Sequence, residues 1–226
     1  MTSPQPTFTV PQPKSRRRRT VVLIGGTAVV LAAGGFAAVT LLGTTSETRT
    51  GTVSGVESVV VDLAAGNISL QGVVGSDIGI LSTLHSSFSS TPVIDQVVTD
   101  GVLTITGNCP APSMNCRVDE EITVPAGTPV TVRTGAGEIT ATGLDVPQFR
   151  GISGTGIVDA TFIRPPELVD IETRTGEVTV QVPAAAYRID AQTTTGTVAV
   201  GLTDDVTAQR SLRTQVTTGN VTIRGN

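Results

Sequence analysis

Few side chains in this sequence have the types and spacing to do chemistry. His85 is the only histidine, set in LHSSFSS. A serine hydrolase also needs a positioned acid and an oxyanion hole, and no nucleophile elbow accompanies His85. It reads as a solvated loop histidine. Asp119-Glu120-Glu121 and Asp204-Asp205 are the two carboxylate runs. Paired carboxylates serve glycoside cleavage, and such a run is also a candidate for weak calcium binding. Adjacent residues of a strand face opposite sides, however, so both runs are expected on solvated surface. No catalytic residue, cofactor-binding residue or metal ligand set is expected.

Cys109 and Cys116, the only cysteines, bracket a loop containing Pro110 and Pro112. A metal site would want further ligands, and no histidine is near. Between free thiols and a disulfide the compartment decides: outside the cytoplasm the pair is expected to be oxidised. Closing so short a loop is worth roughly 2–3 kcal/mol.

Charge and hydropathy address the compartment. Residues 1–20 carry Lys14, Arg16, Arg17, Arg18 and Arg19 and no acid, for +5. Residues 21–42 (VVLIGGTAVVLAAGGFAAVTLL) contain no charge. At ~1.5 Å per residue such a run makes a helix of roughly 33 Å, enough for a hydrocarbon core of ~30 Å. The remainder holds ten basic and all 19 acidic residues, so its net charge is 10 − 19 = −9. With arginines on one flank only, the positive-inside rule places the N-terminus in the cytoplasm and the rest outside. A cleaved signal peptide is the alternative, although the run exceeds an ordinary h-region. Both place the C-terminal part outside the cytoplasm. A domain at −9 is a poor partner for nucleic acid. The expected organisation is a basic tail (1–20), a transmembrane helix (21–43), a linker and lead-in strand (44–58), and an extracytoplasmic domain (59–226).

The elements of that domain follow a repeat. Gly66, Gly101, Gly137, Gly156, Gly176, Gly196 and Gly219 serve as anchors, the last five spaced by 19, 20, 20 and 23 residues. Seven, five and three residues before them stand sets such as Val130, Val132, Thr134 and Val169, Ile171, Thr173. Two and four residues after stand pairs such as Val178, Val180 and Val221, Ile223. Period-two alternation on both sides predicts two short strands, each with one buried face. The change of parity at the anchor predicts a corner with positive φ, which only glycine adopts cheaply. A unit this short cannot bury its face alone, so stacked coils with a Val, Ile and Thr core are expected: an all-β solenoid behind one transmembrane helix. A Greek-key sandwich is the alternative. If coils stack in chain order, Arg150 faces Asp170 and Asp190 faces Arg213, while Asp170 and Asp190 repel. Outward Thr104, Thr106, Thr140 and Thr142 hint at a threonine array, which Gln181, Gly201 and Arg224 interrupt. Asn67 and Asn220 fall in glycosylation sequons but follow anchor glycines, so they read as turn residues.

The segments RTGAGEITATGL, ETRTGEVTVQVP and TTTGTVAVGLT, with CRVDEEITVPAGTPVTVRTGAGEI before them, resemble the bacterial putative-adhesin (toastrack) β-strand-repeat family over residues 50–226. That resemblance implies a single-stranded β-helix-like fold exposed at the cell envelope, no catalytic motif, and a role in adhesion or envelope-stress sensing; no cofactor is expected. The expected function is thus a membrane-anchored binding or scaffold module. Its partner is expected to be an envelope protein or polysaccharide. A carbohydrate-active solenoid enzyme and a homo-oligomeric assembly module are the alternatives.

Overall fold

Alternation of small β-branched residues along nearly the whole domain leaves the chain no helical face to bury, and its elements are strands throughout. The computed structural model describes residues 34–41, 44–87, 90–110 and 115–226. Its strands are β1 (Gly34–Leu41), β2 (Thr44–Val53), β3 (Ser58–Leu63), β4 (Ile68–Val73), β5 (Ile78–Ser86), β6 (Val93–Thr99), β7 (Val102–Asn108), β8 (Arg117–Pro125) and β9 (Val130–Ala136). They continue as β10 (Ile139–Leu144), β11 (Gln148–Thr155), β12 (Val158–Phe162), β13 (Leu168–Thr175), β14 (Val178–Val182), β15 (Tyr187–Thr195), β16 (Val198–Val200), β17 (Arg210–Thr218) and β18 (Val221–Gly225).

Six coils repeat one plan: a strand, a glycine corner, a second strand in the facing sheet. They are β3–β4, β9–β10, β11–β12, β13–β14, β15–β16 and β17–β18, turning at Gly66, Gly137, Gly156, Gly176, Gly196 and Gly219 with φ between 136° and 152°. First strands pair in parallel in one sheet and second strands in the other. The glycines form a column. A Cβ on Gly156 would sit inside the carbonyl oxygen of Gly137, and one on Gly176 inside that of Gly156. Four of the six coils carry an inward hydroxyl three residues before the corner, and three of these add a cross-coil bond. Thr134 Oγ1 donates to Gly66 O (2.8 Å), Ser153 Oγ to Gly137 O (3.2 Å) and Thr193 Oγ1 to Gly219 O (2.9 Å). Those three inward hydroxyls are thereby satisfied, as burial favours, whereas the fourth, Thr173 Oγ1, is buried without a partner.

Gly101 departs from its expected role. With Asp100 at φ 49° and Gly101 at φ 76° it makes the tight turn between antiparallel β6 and β7. Two consecutive positive φ values suit a hairpin turn, not a corner. The strand pair β7 and β8 instead joins the two sheets through the Cys109–Cys116 loop.

The coils do not stack in chain order. The spatial order of first strands is β7, β3, β9, β11, β13, β17, β15, and that of second strands is β8, β4, β10, β12, β14, β18, β16. The last two coils are exchanged, and so are the first two strand pairs. The expected contact of Asp170 with Asp190 is corrected accordingly: Arg213 lies between them in register. The outward ladder Arg150, Asp170, Arg213, Asp190 then alternates in sign, with Arg150 Nε 3.6 Å from Asp170 Oδ2. Chain order would set Asp170 against Asp190, a repulsion of a few tenths of a kcal/mol that the exchange avoids.

The inner faces close over a core in which Val61, Leu70, Val132, Ile139, Ile171, Val180, Leu212 and Ile223 are buried. Gly151, in an inward position, leaves room for the Phe149 ring, which meets Phe162 edge-on at 5.8 Å. All members of this core lie between Val53 and Ile223, so residues 44–226 hold a core of their own.

Antiparallel strands extend the early end: β5 pairs with β8, β2 with β5 and β1 with β2. Residues 34–41, expected to be helical, are thus a strand here, completing the open backbone edge of β2. The rest of the expected helix, residues 21–33, lies outside the described residues, as do Arg16, Arg17, Arg18 and Arg19. Among the described residues no helix is long and apolar enough to cross a membrane.

Candidate functional site

Outward residues four and two positions before each corner come from every coil and share one face of the first sheet. In spatial order the nearer row is Gly135, Gly154, Arg174, Thr217, Thr194, and the farther row is Arg133, Ile152, Glu172, Gln215, Gln192. The small residues of the nearer row leave a hollow between the farther row and the corners. The result is a groove of about 500 Å³ crossing five coils. At ~4.8 Å per coil it runs for roughly 19 Å, perpendicular to the strands. Its walls are arginine, glutamate, glutamine and threonine, with Ile152 as the one apolar side chain of the two outward rows and Val216 beneath them. Glu172 is engaged by Arg150 Nη2 at 3.5 Å, and Gln192 Nε2 donates to Asp190 Oδ1 at 2.7 Å. A smaller hollow of about 270 Å³ lies on the other sheet, beside Gln71, Leu81, Glu121 and Thr123.

The candidate residues from the sequence do not converge on either hollow as a catalytic set. Cys109 and Cys116 form the expected disulfide, with Cα atoms 6.0 Å apart. His85 is not on a loop: β5 extends through it, and its Nε2 lies 2.9 Å from Asp119 Oδ2, which Arg117 Nε also approaches at 3.1 Å. Along β8, Asp119 and Glu121 face outward and Glu120 faces inward. Parity separates the three carboxylates, as strand geometry requires. Glu120, however, is not solvated surface. It is 1% exposed, and its Oε2 accepts from Ser82 Oγ at 3.0 Å. Gln96 Nε2 donates in turn to Ser82 Oγ at 3.1 Å, and Glu120 Oε1 has no partner. Burial, reinforced by the Asp119 charge and only partly offset by the Ser82 bond, pushes its pKa up to about 8. The group is protonated at neutral pH.

Asp204 Oδ1 accepts the Ile189 N–H (2.8 Å), and Asp205 caps a turn through Thr207 (2.6 Å), which holds its carboxyl below the usual range. Thr104 and Thr106 lie on β7, Thr140 and Thr142 on β10, in different sheets, so they make no single array. Asn67 and Asn220 are turn residues bonded across coils: Asn67 Oδ1 accepts Glu138 N–H and Asn220 Oδ1 accepts Thr197 N–H. Among the described residues no group of three His, Cys, Asp or Glu is placed to hold a metal ion. The groove itself escaped sequence reading, although its signal was present: glycine or threonine two residues before four of the five corners it crosses.

No protein-family model matches the chain, and no curated protein matches it significantly in sequence. Solved structures do. A putative adhesin from Bacteroides fragilis aligns over 79% of this chain and 97% of its own at 12% identity, with a TM-score of 0.32. A putative cell adhesion protein from Clostridium sporogenes aligns over 80% of this chain and 100% of its own, at 18% identity and a TM-score of 0.63. At that identity the likeness speaks for the fold, and the chain shares the fold of that clostridial protein.

Proposed function

We propose that this chain is a membrane-anchored, extracytoplasmic binding module of adhesin-like type whose contact surface is the five-coil groove. The groove carries the reading: a shallow surface crossing five coils, with a side chain from each, suits holding an extended partner. Similarity to a structure described as a putative cell adhesion protein supports the same reading. The anchor rests on the uncharged run 21–42 beside a +5 tail. In a bilayer, residues 34–41 join the helix, because lipid offers nothing to an open strand edge; β2 then becomes the outer strand of its sheet.

The test uses beads displaying residues 44–226 on purified cell-envelope material. Filling the groove with Thr194→Trp and Thr217→Trp is expected to cut attachment about tenfold, since each side chain is exposed and tolerates bulk without refolding. Unchanged attachment removes the groove from the proposal.

The end coil β15–β16 favours a second reading, homotypic assembly. Its inward Val198 and Val200 are 41% and 40% exposed, where their counterparts in other coils are buried. Light scattering of residues 44–226 that shows monomer alone across a wide concentration range excludes it.

A further inference from the structure

We propose that the groove takes an acidic polysaccharide, whose carboxylates are held by Arg133 and Arg174 on either side of a bare stretch of β11. The inference rests on the groove being the binding surface and names its ligand class.

Three observations lead there. First, Arg150 is committed to Asp170 and Glu172, whereas Arg133 and Arg174, both exposed, make no ion pair or side-chain hydrogen bond among the described residues. A guanidinium fork matches a carboxylate in two parallel hydrogen bonds. Second, the strand between them presents Ile152 and then Gly154, so the floor is one apolar side chain and naked backbone. That is a flat seat for the face of a sugar ring. Arg133 on β9 and Arg174 on β13 are two coils and two register positions apart, or roughly 12 Å between Cα atoms. This is about the span of two sugar residues, so carboxylates on alternate sugars reach both. Third, the groove lies on a sheet face, where ladder bonds already use the backbone N–H and C=O groups. An extended peptide is recognised mainly through a free sheet edge. A face offers only side chains, which suits a polymer rich in hydroxyls and carboxylates.

The domain's net charge of −9 argues the other way at long range. At physiological ionic strength the Debye length is about 8 Å, so most of that charge is screened at the groove and the nearby guanidiniums decide.

Calorimetric titration of residues 44–226 with short oligogalacturonate tests this, against the methyl-esterified oligomer and polyglutamate. Binding of the acid form is expected, weakened about tenfold or more by esterification or by either Arg133→Gln or Arg174→Gln. Salt should weaken it too. Arg224→Gln, an exposed arginine on the opposite sheet, should leave affinity unchanged. Equal binding of acid and ester, preference for polyglutamate, or no binding of the acid overturns the proposal. If any of these occurs while Thr194→Trp and Thr217→Trp still weaken envelope attachment, the groove stands and only the ligand class falls. If attachment is also unaffected, both fall.

Discussion

Glu120 occupies an inward position on β8 between Val118 and Ile122, where the pattern of the fold calls for an apolar side chain. Its folded pKa, pushed up to about 8 by burial, lies well above the ordinary carboxylate value of 4.5. The unfolded chain thus releases its proton first. Below the unfolded value the group costs nothing; stability falls as pH rises above it, and the loss is complete once pH passes about 8. Each tenfold in proton affinity is worth about 1.4 kcal/mol, which bounds the total on the order of 5 kcal/mol. The wild-type Tm should therefore drop by on the order of 10 °C between about pH 5 and about pH 9. Glu120→Gln, which keeps the shape and cannot ionise, should flatten that profile, and parallel profiles for the two proteins would disprove the role. The corners make a contrasting case. Gly156 needs both positive φ and the absence of a Cβ, while Gly127, at φ 82°, has open space around it. Gly156→Ala should cost roughly 3 kcal/mol or more, Gly127→Ala about 1 kcal/mol, measured by urea unfolding. Residue types alone revealed the corners because φ restricts residue choice. They did not reveal Glu120 as buried, because a carboxylate in an alternating strand is equally consistent with a bulge or an exposed edge.

A single coil is legible in the sequence: two strand periods, a glycine and, in four of the six coils, a hydroxyl three residues before it. The order of coils is not. Apart from Phe149 with Gly151, the coils present similar inward profiles of small and β-branched residues, so the alternation alone does not fix their order. An outward difference among them is the sign of Arg150, Asp170, Asp190 and Arg213. Cross-linking tests the exchanged order. Glu172 and Gln215 are register neighbours on β13 and β17, and Gln215 is also the neighbour of Gln192 on β15. Register neighbours lie about 5 Å apart, within disulfide reach. Glu172→Cys with Gln215→Cys should oxidise readily, while Glu172→Cys with Gln192→Cys should not; the opposite result restores chain order. The native disulfide acts at another place, tying β7 to β8 where no glycine corner exists. Cys109→Ser with Cys116→Ser should lower stability by roughly 2–3 kcal/mol and leave the groove's affinity unchanged, since none of its lining comes from those strands.

At the scale of the molecule, the exchange changes what the end of the chain does. In a solenoid stacked in sequence order the final repeat is peripheral, and its removal shortens the stack by one coil. Here the last coil, β17–β18, is internal: β17 lies between β13 and β15, β18 between β14 and β16. Leu212, Val216, Val221 and Ile223 are buried by neighbours on both sides. The coil before it is the peripheral one, with Val198 and Val200 half exposed. Deleting residues 210–226 therefore removes the support of β15–β16 and uncovers Ile171 and Val180 together. For β15–β16 to slide into the gap, Asp190 must stack directly on Asp170. The truncated domain should lose both terminal coils, seen as rapid amide hydrogen exchange throughout β15–β16 and a lower, broader unfolding transition. By contrast, Val198→Thr and Val200→Thr in the intact domain should change stability little, since each valine is already open to water. A truncated domain that keeps slow exchange in β15–β16 would show that the penultimate coil docks on β13–β14 unaided, and that the final coil is not the wedge the register makes it.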